Sequence, residues 1–147
     1  MSDGAQPSLG HALRRTLVRG GTAPLAVFLL HLLFSKVLEL YRPYPDLDVP
    51  MHVAGGVAFM WFADVALESF AAPFSTRLRA IVAWLATCTA AVFWEFAEWT
   101  TDRLDLTRAQ GGLDDTMLDL LCGAVGGAVL VLLRTVRRPD EFAGRVT

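Results

Sequence analysis

Residues 116–133 read TMLDLLCGAVGGAVLVLL, eighteen residues with a single charged side chain, Asp119. As a helix rising 1.5 Å per residue, this stretch covers about 27 Å, close to the hydrocarbon thickness of a bilayer, about 30 Å. A soluble domain seldom holds so long an apolar block, and the block reads as a membrane span.

Three more stretches of similar length lie upstream. Residues 22–40 (TAPLAVFLLHLLFSKVLEL) are clean as far as Phe34 and then broken by Lys36 and Glu39. Residues 49–70 (VPMHVAGGVAFMWFADVALESF) and 78–99 (LRAIVAWLATCTAAVFWEFAEW) form the second and third. Pro24 and Pro50 fall near helix starts, where a missing N–H costs little, while Pro43, Pro45 and Pro73 lie in the connections. The connections are short, which makes consecutive helices antiparallel neighbours. Arg14, Arg15 and Arg19 ahead of the first stretch resemble a signal-peptide start. No A-x-A-like site follows, so the stretch reads as an anchor.

Composition agrees. The 147 residues are 54% hydrophobic and 19% charged, with a mean hydropathy of +0.43. That length is one domain, and so much apolar surface excludes a disordered chain. A net charge of −2 argues against a nucleic-acid partner. Cys88 and Cys122 are too few for a disulfide scaffold and lack zinc-motif spacing. The expected fold is all-α, a four-helix transmembrane bundle in the cell membrane. Residues 1–21 are expected as a cytoplasmic N-terminal segment, 22–134 as the membrane domain and 135–147 as a cytoplasmic tail.

Basic residues orient the bundle. Nine of the 13 Lys and Arg (Arg14, Arg15, Arg19, Arg77, Arg79, Arg134, Arg137, Arg138 and Arg145) lie on one side, against Lys36, Arg42, Arg103 and Arg108 on the other. The positive-inside rule then predicts both termini in the cytoplasm, N-in and C-in. Tyr41, Tyr44, Trp94 and Trp99 form an expected aromatic belt at the outer interface, and Trp61 and Trp84 are expected to pack within the spans.

With that orientation the acidic residues become informative. Asp48 and His52 begin the second span, Glu95 and Glu98 end the third, and Asp115 and Asp119 begin the fourth, all at one membrane level. Spacings of three or four residues put both members of each pair on one helix face, and Asp102, four beyond Glu98, extends the third-span row if the helix continues that far. Carboxylates within a span cost roughly 2.5–3.5 kcal/mol each near the centre, so they should face the bundle interior or a wet cavity. Five carboxylates and one imidazole cannot all stay ionised without compensation. Arg42, Arg103 and Arg108 are candidate counter-ions, and a divalent cation is the other: carboxylate oxygens with one nitrogen suit Mg²⁺, Mn²⁺, Ca²⁺ or Fe²⁺, with Zn²⁺ also admissible. The candidate metal ligands are Asp48, His52, Glu95, Glu98, Asp115 and Asp119. The candidate catalytic groups are His52, Glu98 and Asp119, with His52 or Glu98 as general base toward an activated water. Acids at helix starts also favour the helix dipole, and buried polar pairs join membrane helices without chemistry, so a structural network stays open beside the functional pocket.

The layout Asp48-Val-Pro-Met-His52, Glu95-Phe-Ala-Glu98 and Asp115-Thr-Met-Leu-Asp119, followed by Gly123 and Gly126, resembles the YjdF-like family of bacterial membrane proteins and, more distantly, the VanZ-like proteins. It covers about residues 48–127. Glu98 and Asp119 depart from the glutamine and asparagine usual in the VanZ-like layout. The resemblance implies a four-helix integral membrane protein and supplies no established biochemical activity.

Other residues carry smaller expectations. Gly55, Gly56 and the G-x-x-x-G of Gly123 and Gly127 allow the second and fourth spans to approach closely, bringing His52 toward Asp119. His31 reads as a packing residue or a proton relay, and Asp64 and Glu68 as partners of Arg77 or Arg79. Cys88 and Cys122 read as small apolar groups. Gly111-Gly112 offers free N–H groups at a helix start. The function expected is an integral membrane protein with an acidic pocket at the outer leaflet, binding or acting on a lipid or lipid-linked substrate. The alternatives are a proton-coupled small transporter, an accessory subunit held by a structural polar network, or a partner-binding membrane protein. The partner in every case is the lipid bilayer.

Overall fold

The computed structural model describes residues 8–70 and 74–137. They form five α-helices: α1 (Leu9–Arg15), α2 (Thr22–Leu32), α3 (Asp48–Phe70), α4 (Thr76–Arg103) and α5 (Leu113–Arg137). A wider helical turn, Thr16–Gly20, joins α1 to α2, and another, Leu33–Val37, prolongs α2. Three helices are long and apolar enough to cross a membrane, and the bent pair Leu9–Gly20 and Thr22–Val37, at 45°, makes a fourth candidate. The all-α, multi-span expectation holds. The first span differs in form: helix begins at Leu9 and ends at Val37, short of the Leu40 expected. Pro73, Arg138 and Arg145 and all but the first three residues of the expected C-terminal tail lie outside the described residues.

Local chemistry sets the helix ends. Ser8 and Ser75 cap α1 and α4 by accepting from the backbone N–H of His11 (3.4 Å) and Leu78 (3.3 Å), supplying acceptors that the first turn lacks. Pro50 sits in the first turn of α3, where no helical bond is lost. Beyond the helices, Glu39 (φ 48°) and Asp105 (φ 56°) take left-handed backbone, which ends a helical run by turning the chain aside.

Helix α3 is the centre of the bundle. It packs on α2, α4 and α5, and α4 also packs on α5, whereas the backbone of α2 approaches neither α4 nor α5. Glycine sets the closest contact. A Cβ on Gly56 would overlap the carbonyl oxygen of Gly123, and one on Gly126 would overlap that of Val53, so α3 and α5 touch backbone to backbone. The expected close approach is present, with one correction. Cβ atoms at Gly123 and Gly127 would meet α4, at Ala91 (3.2 Å) and at Thr87 and Trp84 (3.2 Å each). The G-x-x-x-G face therefore serves α4, while Gly56 and Gly126 serve the α3–α5 seam.

Leu25, Leu29, Ile81, Leu85, Phe93, Phe96, Leu121 and Leu132 are all exposed, a hydrocarbon-facing girdle that would be an aggregation surface in water. Trp61 and Trp84 pack as expected, donating to the carbonyls of Arg19 (2.8 Å) and Ala124 (2.9 Å) on other elements.

The two ends of the bundle treat buried carboxylates differently. At the end where α5 finishes, Asp64 accepts from Arg79 (3.0 Å) and from Arg134, which joins α3, α4 and α5. Arg15 pairs with Glu68 at 2.8 Å, holding α1 to α3. Of the expected partners for Asp64 and Glu68, Arg79 is found on Asp64, while Arg134 also pairs with Asp64 and Arg15 with Glu68. Both described termini lie at this end. At the opposite end no arginine pairs with the buried carboxylates among the described residues.

Candidate functional site

That opposite end carries the residues singled out by their spacing. Asp48 and His52 are one turn apart at the start of α3, and the His52 side chain is 9% exposed. Its Nε2 lies 3.6 Å from Asp48 Oδ2 and 3.7 Å from Asp119 Oδ1 on α5. Its Nδ1 lies 3.9 Å from Glu95 Oε1 on α4. One imidazole thus faces carboxylates from three helices, a consequence of the glycine seam that brings α5 against α3.

Two ligand groups share this ring. Asp48, His52 and Asp119 each offer an atom within 4.8 Å of the others, and so do His52, Glu95 and Glu98. Oxygen and nitrogen ligands about 2.0–2.4 Å from one ion stand no more than about 4–5 Å apart, so either group is within reach of a divalent cation.

Each of the two glutamates is held by a neighbouring donor. Glu98 Oε1 accepts from Trp94 Nε1 at 2.9 Å. Glu95 Oε2 accepts from the Gln110 side-chain amide at 3.3 Å, and the same amide reaches the Glu95 carbonyl at 3.3 Å. Glu95 is 5% exposed, and its Oε1 is buried with no hydrogen-bond partner among the described residues. An unpaired buried carboxylate oxygen is costly.

Beyond this ring lies a polar basin of about 900 Å³, lined by Lys36, Tyr41, Arg42, Glu98, Arg108 and Asp115 among others. Beside it, within the spans, lies an apolar cavity of about 270 Å³ that reaches His52. Phe28, His31 and Trp94 wall both. The ring of His31 packs edge-on against Trp94 at 5.1 Å and shares a 3.1 Å hydrogen bond with the Tyr41 hydroxyl. Tyr41 lies outside the spanning helices. Burial, and then the charges of Asp48 and Glu98, push its phenol up to about 12.

Five of the six expected ligands therefore converge: Asp48, His52, Glu95, Glu98 and Asp119. Asp115 does not join them, since its carboxylate turns back to accept from the Gly111 N–H at 2.8 Å. The same bond occupies one of the donors that Gly111-Gly112 would have offered an anion. Asp102 is also outside the ring: it accepts from Thr107, from the Ala109 N–H (2.9 Å) and from the Gln110 N–H (3.0 Å), folding the α4–α5 loop. Two of the three expected arginine counter-ions turn elsewhere, Arg42 to Glu39 at 3.3 Å and Arg103 over Trp99 at 5.6 Å, while Arg108 lines the basin. Trp94, expected in an interfacial belt, faces the site instead. Sequence reasoning missed Gln110, whose loop position carries no periodic signal. It also missed Phe28, which is one apolar residue among many in α2.

The family described as "Predicted membrane protein (DUF2238)" matches residues 14–140, a range that includes every helix of the bundle from α2 to α5 and the whole His52 ring. The chain belongs to this family. No curated protein and no solved structure matches it. Membership in DUF2238 and the three to four candidate spans agree on a multi-pass membrane protein.

Proposed function

We propose that this DUF2238 protein holds a divalent cation at the outer end of its bundle and uses the site to bind, or act on, a lipid or lipid-linked substrate. The observation that carries the reading is the buried, unpartnered Oε1 of Glu95, aimed at His52 Nδ1 beside Glu98. A cation bound by His52 Nδ1, Glu95 and Glu98 satisfies that oxygen and offsets part of the carboxylate charge. Gln110 and Trp94 hold the two glutamates, and Asp48 and Asp119 face the other ring nitrogen, as outer-shell groups do around a metal-bound histidine. A mixed N/O set favours Mg²⁺, Mn²⁺, Ca²⁺, Fe²⁺ or Zn²⁺ over softer ions. The adjoining basin gives the polar head a place within reach of Lys36, Arg42 and Arg108. The residues that would hold the cation are His52, Glu95 and Glu98; when bound it would supply Lewis-acid chemistry toward an oxygen of the head, and His52, Glu98 and Asp119 are the groups that would hold or move protons.

The deciding experiment is equilibrium binding of Mg²⁺, Mn²⁺, Ca²⁺ and Zn²⁺ to the detergent-purified chain and to Glu95→Gln, with Asp114→Asn as control. One ion per chain, weakened at least tenfold by Glu95→Gln and unchanged by Asp114→Asn, supports the reading. No stoichiometric ion, with Glu95→Gln altering only thermal stability, overturns it. The same outcome favours the alternative of a structural network or a proton-coupled accessory role, which is motivated by His52 joining α3, α4 and α5.

A further inference from the structure

We propose that the 270 Å³ apolar cavity seats one acyl chain of an outer-leaflet phospholipid whose head lies in the adjoining polar basin. This deepens the lipid reading above by naming the substrate class and the place of its tail.

The cavity exists because α2 stands away from α4. Their backbones do not approach, and rings close the gap: Phe28 against Trp94 at 6.1 Å and His31 against Trp94 at 5.1 Å. Below those rings the wall is built from small residues, Gly55 and Gly56 on α3 and Ala90 and Ala91 on α4. Two of the glycines have different reasons to be there. Gly56 is required by the backbone of α5, whereas a Cβ at Gly55 would meet nothing within 4 Å. Glycine inside a helix is less favourable than alanine, and no neighbour demands it at position 55. What its missing side chain does is leave the cavity open.

Size, lining and position then select the occupant. A volume of about 270 Å³ is room for a segment of hydrocarbon chain. Apart from His31 and His52 the polar lining is Thr87, and its hydroxyl already donates to the Ala83 carbonyl at 2.8 Å. Such a cavity offers water few partners and offers hydrocarbon a close fit. The cavity meets the basin at Phe28, His31 and Trp94, so a tail in the first places its head in the second. There Lys36 and Arg108 are the cations a phosphate would meet, with Arg42 already paired to Glu39 at 3.3 Å and the carboxylates of Asp48, Glu98, Asp105 and Asp115 also on the wall. An outer-leaflet phospholipid has this order of tail and phosphate and is present around the bundle at high concentration.

The test uses the full chain in nanodiscs containing a diacyl phospholipid with a photoactivatable diazirine midway along one acyl chain. After irradiation, adducts are mapped by peptide mass spectrometry. Adducts are expected on Phe28, on the α3 peptide around Gly55 and on the α4 peptide around Ala90. Gly55→Leu and Ala90→Leu should each lower these at least tenfold and leave labelling of the outward-facing Phe93 and Phe96 unchanged. Adducts on the outward face alone, or cavity adducts equal in the wild type and both variants, overturn the proposal. So does cavity labelling by a diazirine prenyl phosphate where the phospholipid gives none. If one variant fails to fold, the other is read, and the wild-type adduct map decides in either case. Ion binding distinguishes this proposal from the metal reading: Gly55→Leu should keep the ion and lose the label, and Glu95→Gln should lose the ion and keep the label.

Discussion

The Nε2 of His52 stands 3.7 Å from Oδ1 of Asp119, across the seam where Gly56 and Gly126 bring α3 and α5 into backbone contact. The chemistry at one end of the bundle thus depends on the absence of side chains a turn or two away. Asp119 faces the ring nitrogen opposite the one that faces Glu95. Asp119→Asn should therefore weaken ion binding by about 10–100-fold, the range for outer-shell partners of a metal-bound histidine, and less than Glu95→Gln does. Titration of both variants with Mn²⁺ checks the order. A larger loss from Asp119→Asn moves the ion to the Nε2 side, among Asp48, His52 and Asp119.

The seam itself predicts a stability contrast between adjacent glycines. Gly56→Ala and Gly126→Ala each force backbones apart and should cost about 1–3 kcal/mol. Gly55→Ala meets open space and should be neutral or stabilising by up to about 1 kcal/mol. Unfolding in a graded denaturing detergent measures all three. Equal losses at positions 55 and 56 would contradict the packing described.

At the opposite end, Asp64→Ala should destabilise the bundle by about 3 kcal/mol, because it leaves Arg79 and Arg134 facing each other without their shared, buried carboxylate. Arg79→Ala should cost less, since Arg134 remains on Asp64. The comparison is made in the same unfolding assay. A neutral Asp64→Ala would show that the two guanidinium groups find other partners in the headgroup region.

Tyr41 gives a prediction outside the spans. Its phenol is raised from the ordinary value of 10 to about 12, by burial first and by Asp48 and Glu98 next. In Tyr44→Phe, where Tyr41 is the remaining tyrosine, tyrosinate absorbance should rise near pH 12. The folded value lies above the unfolded one, so this contribution to stability is complete below pH 10 and disappears as pH climbs through about 12. Absorbance rising at pH 10 in the folded protein would remove Tyr41 from the walls of the site.

The bundle was legible in the sequence because a span announces itself through length and apolar content, and α3, α4 and α5 contain the second, third and fourth expected spans. The first was less legible: Lys36 and Glu39 interrupt it, and its bend at Gly21 leaves no hydropathy signal. Periodicity likewise located Asp48, His52, Glu95, Glu98 and Asp119 at one level, since helical spacing alone settles which residues share a face. It could not separate Asp115 from that group, because the carboxylate's turn toward Gly111 is a matter of loop geometry. Asp102 does lie in α4 one turn beyond Glu98, and its carboxylate is taken up by the loop that follows. The roles of Trp94, Gln110 and Gly55 come from what lies opposite them, which no single helix encodes. The cavity beside Gly55 is a property of α2 and α4 standing apart, visible only in three dimensions.

The most direct test is pulsed electron paramagnetic resonance of the protein loaded with one equivalent of Mn²⁺. A cation held by His52 among the glutamates predicts electron spin-echo modulation from a single imidazole nitrogen, present in the wild type and absent in His52→Ala. A wild-type protein that retains no Mn²⁺, or a nitrogen signal that survives His52→Ala, would contradict the proposed centre.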